Sequence, residues 1–328
     1  MDAKGWRFLL PLLFSAVACS GASASLPTLD AGLDATSVVS DGAADQAAAD
    51  AGDATGAGDA AKDASVEEAS VDASDAGPAW CAGLTVCDDF ESTTVGQPPS
   101  SALWRVTAPE CAPQRGTATV DDTEAHSGHH SVKIVNDFES GSPTYCDHVF
   151  FTNYSAFAMA APGQIYARFF MFLGEPFGMT HVTFATMTDE NDNGNQLRLG
   201  FDSNVFAWNR ESDDAFLPEL DDGSSQVDVQ ESIAPPSPGW FCVEFHIDEL
   251  AGTLDAWVDG SEVPGLVETG TPVTNISAEW LGQGQNAWKP QVIDLGFGWE
   301  TYFGQSMVLW FDDVAIASTR IGCTPPDQ

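Results

Sequence analysis

Four short stretches of the chain carry polar groups of chemically useful type two residues apart: Tyr166 with Arg168, His181 with Thr183, Gln196 with Arg198, and Glu244 with His246. A β-strand turns every second side chain to the same face, so each pair shares a face if its stretch is a strand. Were those strands to share one sheet, the pairs would converge. An arginine could then hold a carboxylate while a histidine or tyrosine moves a proton, which is the equipment for acid–base work on an acidic substrate. The plainer alternative is that Arg168 and Arg198 pair with acids and that His246 is simply hydrogen-bonded on a sheet face. Binding without bond cleavage asks for less. Trp208, Trp240, Trp257, Trp288 and Trp299 could stack on sugar rings, with Arg168 and Arg198 bonding to hydroxyls. Large aromatics also carry much of any core, so many of these must be buried.

The stretches that position these groups read as strands. Residues 131–135 and 164–172 alternate apolar with polar side chains, and further runs lie at 181–187, 196–201, 241–247, 253–258, 292–299 and 307–317. No stretch of ten or more residues has a helical period. Short strands separated by turn residues predict an all-β fold, an antiparallel β-sandwich or jelly roll. A hairpin is expected about Asp259-Gly260, a pair suited to positive φ. The acidic loop 189–195 matches the first half of an EF-hand loop. Its twelfth position is Gly200, where calcium would need a bidentate glutamate, so a polar turn is expected. The stretch 209–239, acidic and then proline-rich, is either a groove border or a disordered insertion.

The N-terminus predicts export. Lys4 and Arg7 precede an apolar run of roughly ten residues, well short of the roughly 20 that span a bilayer, and small residues follow. Ala16-Val17-Ala18-Cys19 resembles the bacterial lipobox, which implies that Cys19 is lipidated and begins the mature chain. Ser20 in place of Asp implies the outer membrane, with membrane contact through the lipid alone. Residues 1–18 are thus the signal peptide. Residues 19–78, rich in Ala, Asp and Gly, form an acidic tether too polar to offset its ordering entropy. Residues 79–328 form the folded head, expected to be a monomer. A net charge of −38 excludes nucleic acid as a natural partner, because phosphate binding depends on lysine and arginine. It also makes an acidic polysaccharide a less comfortable ligand than a neutral one. Cys81, Cys87, Cys111, Cys146, Cys242 and Cys323 read as disulfides in an oxidising compartment. Six cysteines allow 15 connectivities. The short loop favours Cys81–Cys87, and Cys111–Cys146 and Cys242–Cys323 are the expected remainder.

Several motifs then carry a resemblance: Cys87-Asp88-Asp89-Phe90-Glu91, Ala125-His126-Ser127-Gly128-His129-His130-Ser131, Trp257-Val258-Asp259-Gly260 and Trp310-Phe311-Asp312-Asp313-Val314. Together they resemble the concanavalin A-like lectin/glucanase superfamily, and most of all the jelly rolls of polysaccharide lyases and a related fungal cellulose-induced protein. The resemblance covers most of residues 80–323. It implies that the first and last strands meet and hold a structural calcium through Glu91 and Asp312, with backbone carbonyls of the loop from Ser127 to His130. Retaining glucanases of this superfamily carry Glu-x-Asp-x-Glu on one strand. Here Glu244-Phe245-His246-Ile247-Asp248-Glu249 breaks that spacing, which disfavours a glycosidase. The expectation is therefore a surface-anchored carbohydrate-binding domain. The alternatives are a lyase acting on a uronate-containing glycan and a structural or adhesive surface protein.

Overall fold

The computed structural model describes residues 79–108, 116–136, 148–157, 163–176, 181–212, 214–218, 232–268, 289–301 and 307–324. Cys19, the tether, Cys111, Cys146 and Trp288 lie outside the described residues.

Two antiparallel sheets form a jelly-roll sandwich. The larger holds β1 (Val86–Asp88), β3 (Thr117–Asp121), β4 (Ser131–Val135), β6 (Gln164–Leu173), β11 (Gly239–Asp248), β12 (Thr253–Val258), β13 (Ser261–Glu262) and β15 (Val308–Ala317). Its order is β13-β12-β11-β6-β15-β4-β3, with β1 pairing the later half of β15. First and last strands therefore meet, as the resemblance implied. The smaller sheet runs β10 (Ala215–Leu217), β9 (Val205–Arg210), β8 (Gln196–Asp202), β7 (Val182–Thr188), β14 (Leu295–Glu300), β5 (Val149–Asn153) and β2 (Arg105–Thr107).

Alternation decides which face each residue takes. On β6, Ile165, Ala167, Phe169, Met171 and Leu173 enter the core, and on β8 so do Leu197, Leu199 and Phe201. Phe151, Phe169, Phe297 and Phe311 interlock between the sheets with ring centroids 5.0–6.2 Å apart. Such tilted and edge-on contacts add to the area term that drives burial. The expected hairpin forms: Asp259 and Gly260 take φ of 49° and 78° between β12 and β13. The acidic loop after β7 is a turn, in which Asp189 accepts from Asn191 N and Asn193 is left-handed. Within the stretch 209–239, β9 runs through Arg210 and β10 follows, while residues 213 and 219–231 lie outside the described residues. Disulfides join Cys81 to Cys87 and Cys242 to Cys323 across Cα distances of 5.4 and 5.8 Å.

Candidate functional site

The four polar pairs do not converge. Tyr166, Arg168, Glu244 and His246 lie on β6 and β11 of the larger sheet, whereas Thr183, Gln196 and Arg198 lie on β7 and β8 of the smaller, with His181 just before β7. All point away from the core, so the two groups occupy opposite outer faces of the sandwich. Alternation identified each face correctly but could not tell which sheet the strand joined.

On the larger sheet these residues serve the fold. Glu244 is fully buried, and its Oε1 accepts from Ile321 N at 2.6 Å and Gly322 N at 3.0 Å. Its Oε2 lies 3.4 Å from Arg320 Nε. The neighbouring Cys242–Cys323 bond fixes the same C-terminal segment. Arg168 is 2% exposed beneath the Trp80 ring, 4.6 Å from its centroid. His246 stacks on Tyr166, with Nδ1 2.9 Å from Asp255 and Nε2 2.5 Å from Gln164 Oε1. The tryptophans need the same correction. Trp208 and Trp299 are wholly buried between the sheets, and Trp257 lies under the Arg320 guanidinium at 4.1 Å, so none presents a free ring to a ligand.

The smaller sheet is different. Register draws one straight row across its outer face: Arg105, Thr152, Gly296, Thr186, Arg198, Asn209 and Phe216, on β2, β5, β14, β7, β8, β9 and β10. Third in the row, Gly296 carries no side chain, and the Thr152 and Thr186 hydroxyls take the space a Cβ would need. A Cβ there would come within 2.8 Å of Thr152 Oγ1 and 2.9 Å of Thr186 Oγ1. Beside the row opens a cavity of about 440 Å³, lined by Thr107, Phe150, Thr152, Tyr154, Thr186, Thr188, Gln196 and Asp294. Thr188 donates to Asp294 through N and Oγ1, both at 3.0 Å. Burial raises the Asp294 carboxyl above its ordinary value. Arg105 covers the Tyr154 ring at 4.8 Å, and burial followed by the Asp294 charge raises the phenol.

Arg198 is 7% exposed and already paired. Its Nη2 is 2.9 Å from Glu211 Oε1, its Nη1 is 3.3 Å from Glu300 Oε1, and its Nε donates to Gln196. Two carboxylates more than balance one guanidinium, so Arg198 is a poor clamp for a further anion. His181 sits edge-on to Phe216 at 5.1 Å, and burial lowers its proton affinity. The floor thus offers hydroxyls and amides. Reading the sequence found Gln196, Arg198, His181 and Thr183 here, but missed Arg105, Thr152, Tyr154, Thr186, Asn209, Asp294 and Gly296. The Thr186-x-Thr188 and Gly296-x-Gly298 alternations were its available signals.

The region expected to hold calcium is also assembled. A bulge in β15 between Asp312 and Ala315, with Asp313 at φ 47°, turns both aspartates to the loop preceding β4. Asp312 Oδ2 accepts from His126 N at 2.7 Å and Ser127 N at 3.1 Å, while Asp313 accepts from Ser127 Oγ and meets His126 Nδ1. Glu91 Oε1 accepts from His129 N and His130 N, both at 2.6 Å. Gly128, at φ 58°, leaves room that a Cβ would take from the Glu91 carboxylate. Burial first and Asp313 second push the Asp312 carboxyl up to about 8. Among the described residues, no three His, Cys, Asp or Glu side chains are gathered as metal ligands. The contacts this loop makes to the acids are N–H and hydroxyl donors.

Comparison with known proteins agrees with this architecture. The structure superposes on that of the cellulose induced protein Cip1 with a TM-score of 0.61 and 36% identity, covering 73% of this chain and all of that one. A fungal endo-β-1,4-glucuronan lyase from Trichoderma reesei matches at 12% identity and a TM-score of 0.43, over 72% of this chain and 96% of that one. No curated protein matches the chain. The family model for the polysaccharide lyase-like, Cip1-like core domain matches residues 89–319, and the chain belongs to that family.

Proposed function

We propose that this domain captures a neutral glycan across the outer face of its smaller sheet, as the head of a lipid-anchored envelope protein. The observation that carries the reading is the row from Arg105 to Phe216. Its centre is threonine and glycine, and its buried arginine is already held by two glutamates. Hydroxyls and amides recognise sugar hydroxyls without a charge on the ligand. A chain of net charge −38 also repels a polyanion unless cations offset the field locally. Cys19, outer-membrane sorting and the 19–78 tether belong to the proposal. A flexible spacer of that length would let the head search several nanometres around its anchor. So does a structural calcium held by Glu91, Asp312 and main-chain oxygens of Ser127 and His130, which would neutralise the buried acids there.

A second reading, β-elimination on a uronate polymer, is favoured by one contact. Arg105 over Tyr154 puts a cation beside a phenol in the same cavity as Gln196. Arg105 could neutralise a uronate while Tyr154 moves the proton. The two readings part in one experiment on the exported protein. Calorimetry with neutral and uronate oligosaccharides is paired with absorbance of unsaturated chain ends. Capture predicts neutral-glycan binding, weakened in Tyr154→Ala, with no new absorbance. Absorbance that disappears in Arg105→Ala would replace capture with lysis. Silence in both assays would leave the adhesive alternative.

A further inference from the structure

The outer face of the larger sheet carries a second row, separate from the cavity on the opposite face. Register aligns Trp240 on β11, Phe172 on β6, Trp310 on β15, Lys133 on β4 and Thr119 on β3. All five are half-buried, and none belongs to the core between the sheets. Phe172 meets both tryptophans at a centroid distance of 5.5 Å, with interplanar angles of 61° and 83°. The two indoles thus both stand across the phenyl ring, separated by two strand spacings, about 10 Å.

Their orientations are held by neighbours, and Lys133 covers one face of Trp310. Trp310 Nε1 donates to Asp121 Oδ1 at 3.2 Å, and Lys133 Nζ lies 5.2 Å from the Trp310 ring and 3.3 Å from Asp121 Oδ2. Trp240 rests edge-on against His126 at 5.7 Å, and His126 itself stacks on Phe170. Next to Trp310 a cavity of about 300 Å³ is bordered by Gly174, Glu175 and Val308. Elsewhere on this face the aromatics are covered: Arg320 caps Trp257, and Tyr166 and His246 stack on each other. Trp240, Phe172 and Trp310 keep part of their surface in water, in a line.

We propose that this line is a second carbohydrate surface, which takes an extended, neutral β-linked glycan laid across the strands. Sugar rings in such a chain offer C–H faces to aromatic rings and equatorial hydroxyls to flanking polar groups, here Thr119 and the exposed Glu175. The separation of the two indoles is close to the disaccharide repeat of an extended β-1,4-linked chain, so alternate sugars would meet tryptophan. The cation in the row, Lys133, is already neutralised by Asp121, which leaves little to draw a polyanion. The aromatic line is a single residue wide, whereas a stable protein interface requires a continuous patch of roughly 800 Å² per partner.

The test uses the full chain and a β-1,4-linked glucan hexasaccharide, read by calorimetry and by tryptophan fluorescence. Trp240→Gln and Trp310→Gln, each with a near-parental melting temperature, are expected to weaken hexasaccharide affinity about tenfold, the scale of one lost stacking contact. Tyr154→Ala, on the opposite face, should leave that component in place. Phe172→Leu keeps the apolar volume and removes the ring, and it replaces either tryptophan variant that fails to fold. The inference is overturned if the parent does not bind the hexasaccharide. It is equally overturned if the row variants bind like the parent, or if Tyr154→Ala alone abolishes binding.

Discussion

Replacing Glu244 with glutamine separates structure from chemistry on the larger sheet. The carboxylate is wholly buried and receives Ile321 N and Gly322 N at 2.6 and 3.0 Å. Both amides donate to the same oxygen, Oε1, so the amide oxygen of glutamine can accept both, but as neutral bonds of roughly 0.5–1.5 kcal/mol each in place of charge-assisted ones of roughly 1.5–3 kcal/mol. Arg320 is 48% exposed, so its contact with Glu244 adds little. The expected loss is about 2–3 kcal/mol, or about 4–12 °C in melting temperature for a domain of this size. Hydrogen exchange at Ile321 and Gly322 should quicken, while exchange at core amides such as Phe169 and Phe297 is less affected. Glycan binding on the smaller sheet should be unchanged. A variant that melts like the parent but loses binding or turnover would refute the anchoring role and return Glu244 to the chemistry.

Three other outcomes follow from the same contacts. Gly296→Val must displace the Thr152 and Thr186 hydroxyls and should lower affinity at the smaller sheet at least about tenfold; unchanged calorimetric binding would move the ligand off this row. Asp88, Asp189, Glu249 and Asp294 have carboxyls raised chiefly by burial, so the folded chain prefers them protonated. Stability should then be greater near their unfolded values and be lost as pH rises through the raised folded ones. Melting temperature should fall as pH rises above the ordinary carboxylate range, with a shallower slope in Asp294→Asn, and a rising profile would contradict the sign. If calcium sits at Glu91 and Asp312, chelation should lower the melting temperature, with about 2.7 kcal/mol at stake when free ion is a hundredfold above Kd. Asp312→Ala should abolish that response, and no shift on chelation in the parent would remove the ion from the proposal.

Local sequence made much of the fold legible. Residues 131–135 and 253–258 are strands with those same ends, because each is an alternating run closed by turn residues. Less legible were strands whose apolar pattern is blurred by residues buried on both faces. All five residues of β5 are buried, Val149 and Phe151 inward, Phe150 and Thr152 beneath the cavity. Such a run carries no period of two. Short edge pieces such as β10 gain their order from pairing with β9, a tertiary contact the local sequence does not encode.

The candidate site was legible only in fragments, for a geometric reason. Alternation reports a side chain's face relative to its own strand, but a ligand row runs across strands. Its membership depends on sheet order and on register, both set by distant pairings. Arg105 and Arg198 share a row because β2, β5, β14, β7 and β8 are neighbours, although 93 positions separate them in the sequence. The Trp240-Phe172-Trp310 line arises in the same way, from β11, β6 and β15. The charge of each candidate likewise depends on tertiary neighbours. Between clamp and ion-pair partner, Arg198 is decided by Glu211 and Glu300 beside it, and Glu244 leaves the catalytic candidates because the C-terminal segment folds over it. A row can be rebuilt from sequence once one inter-strand pairing in each ladder is known, because period two then fixes every other pair until a bulge intervenes. The bulge in β15 is such an interruption, and it is what turns Asp312 and Asp313 together toward the loop that contacts Glu91.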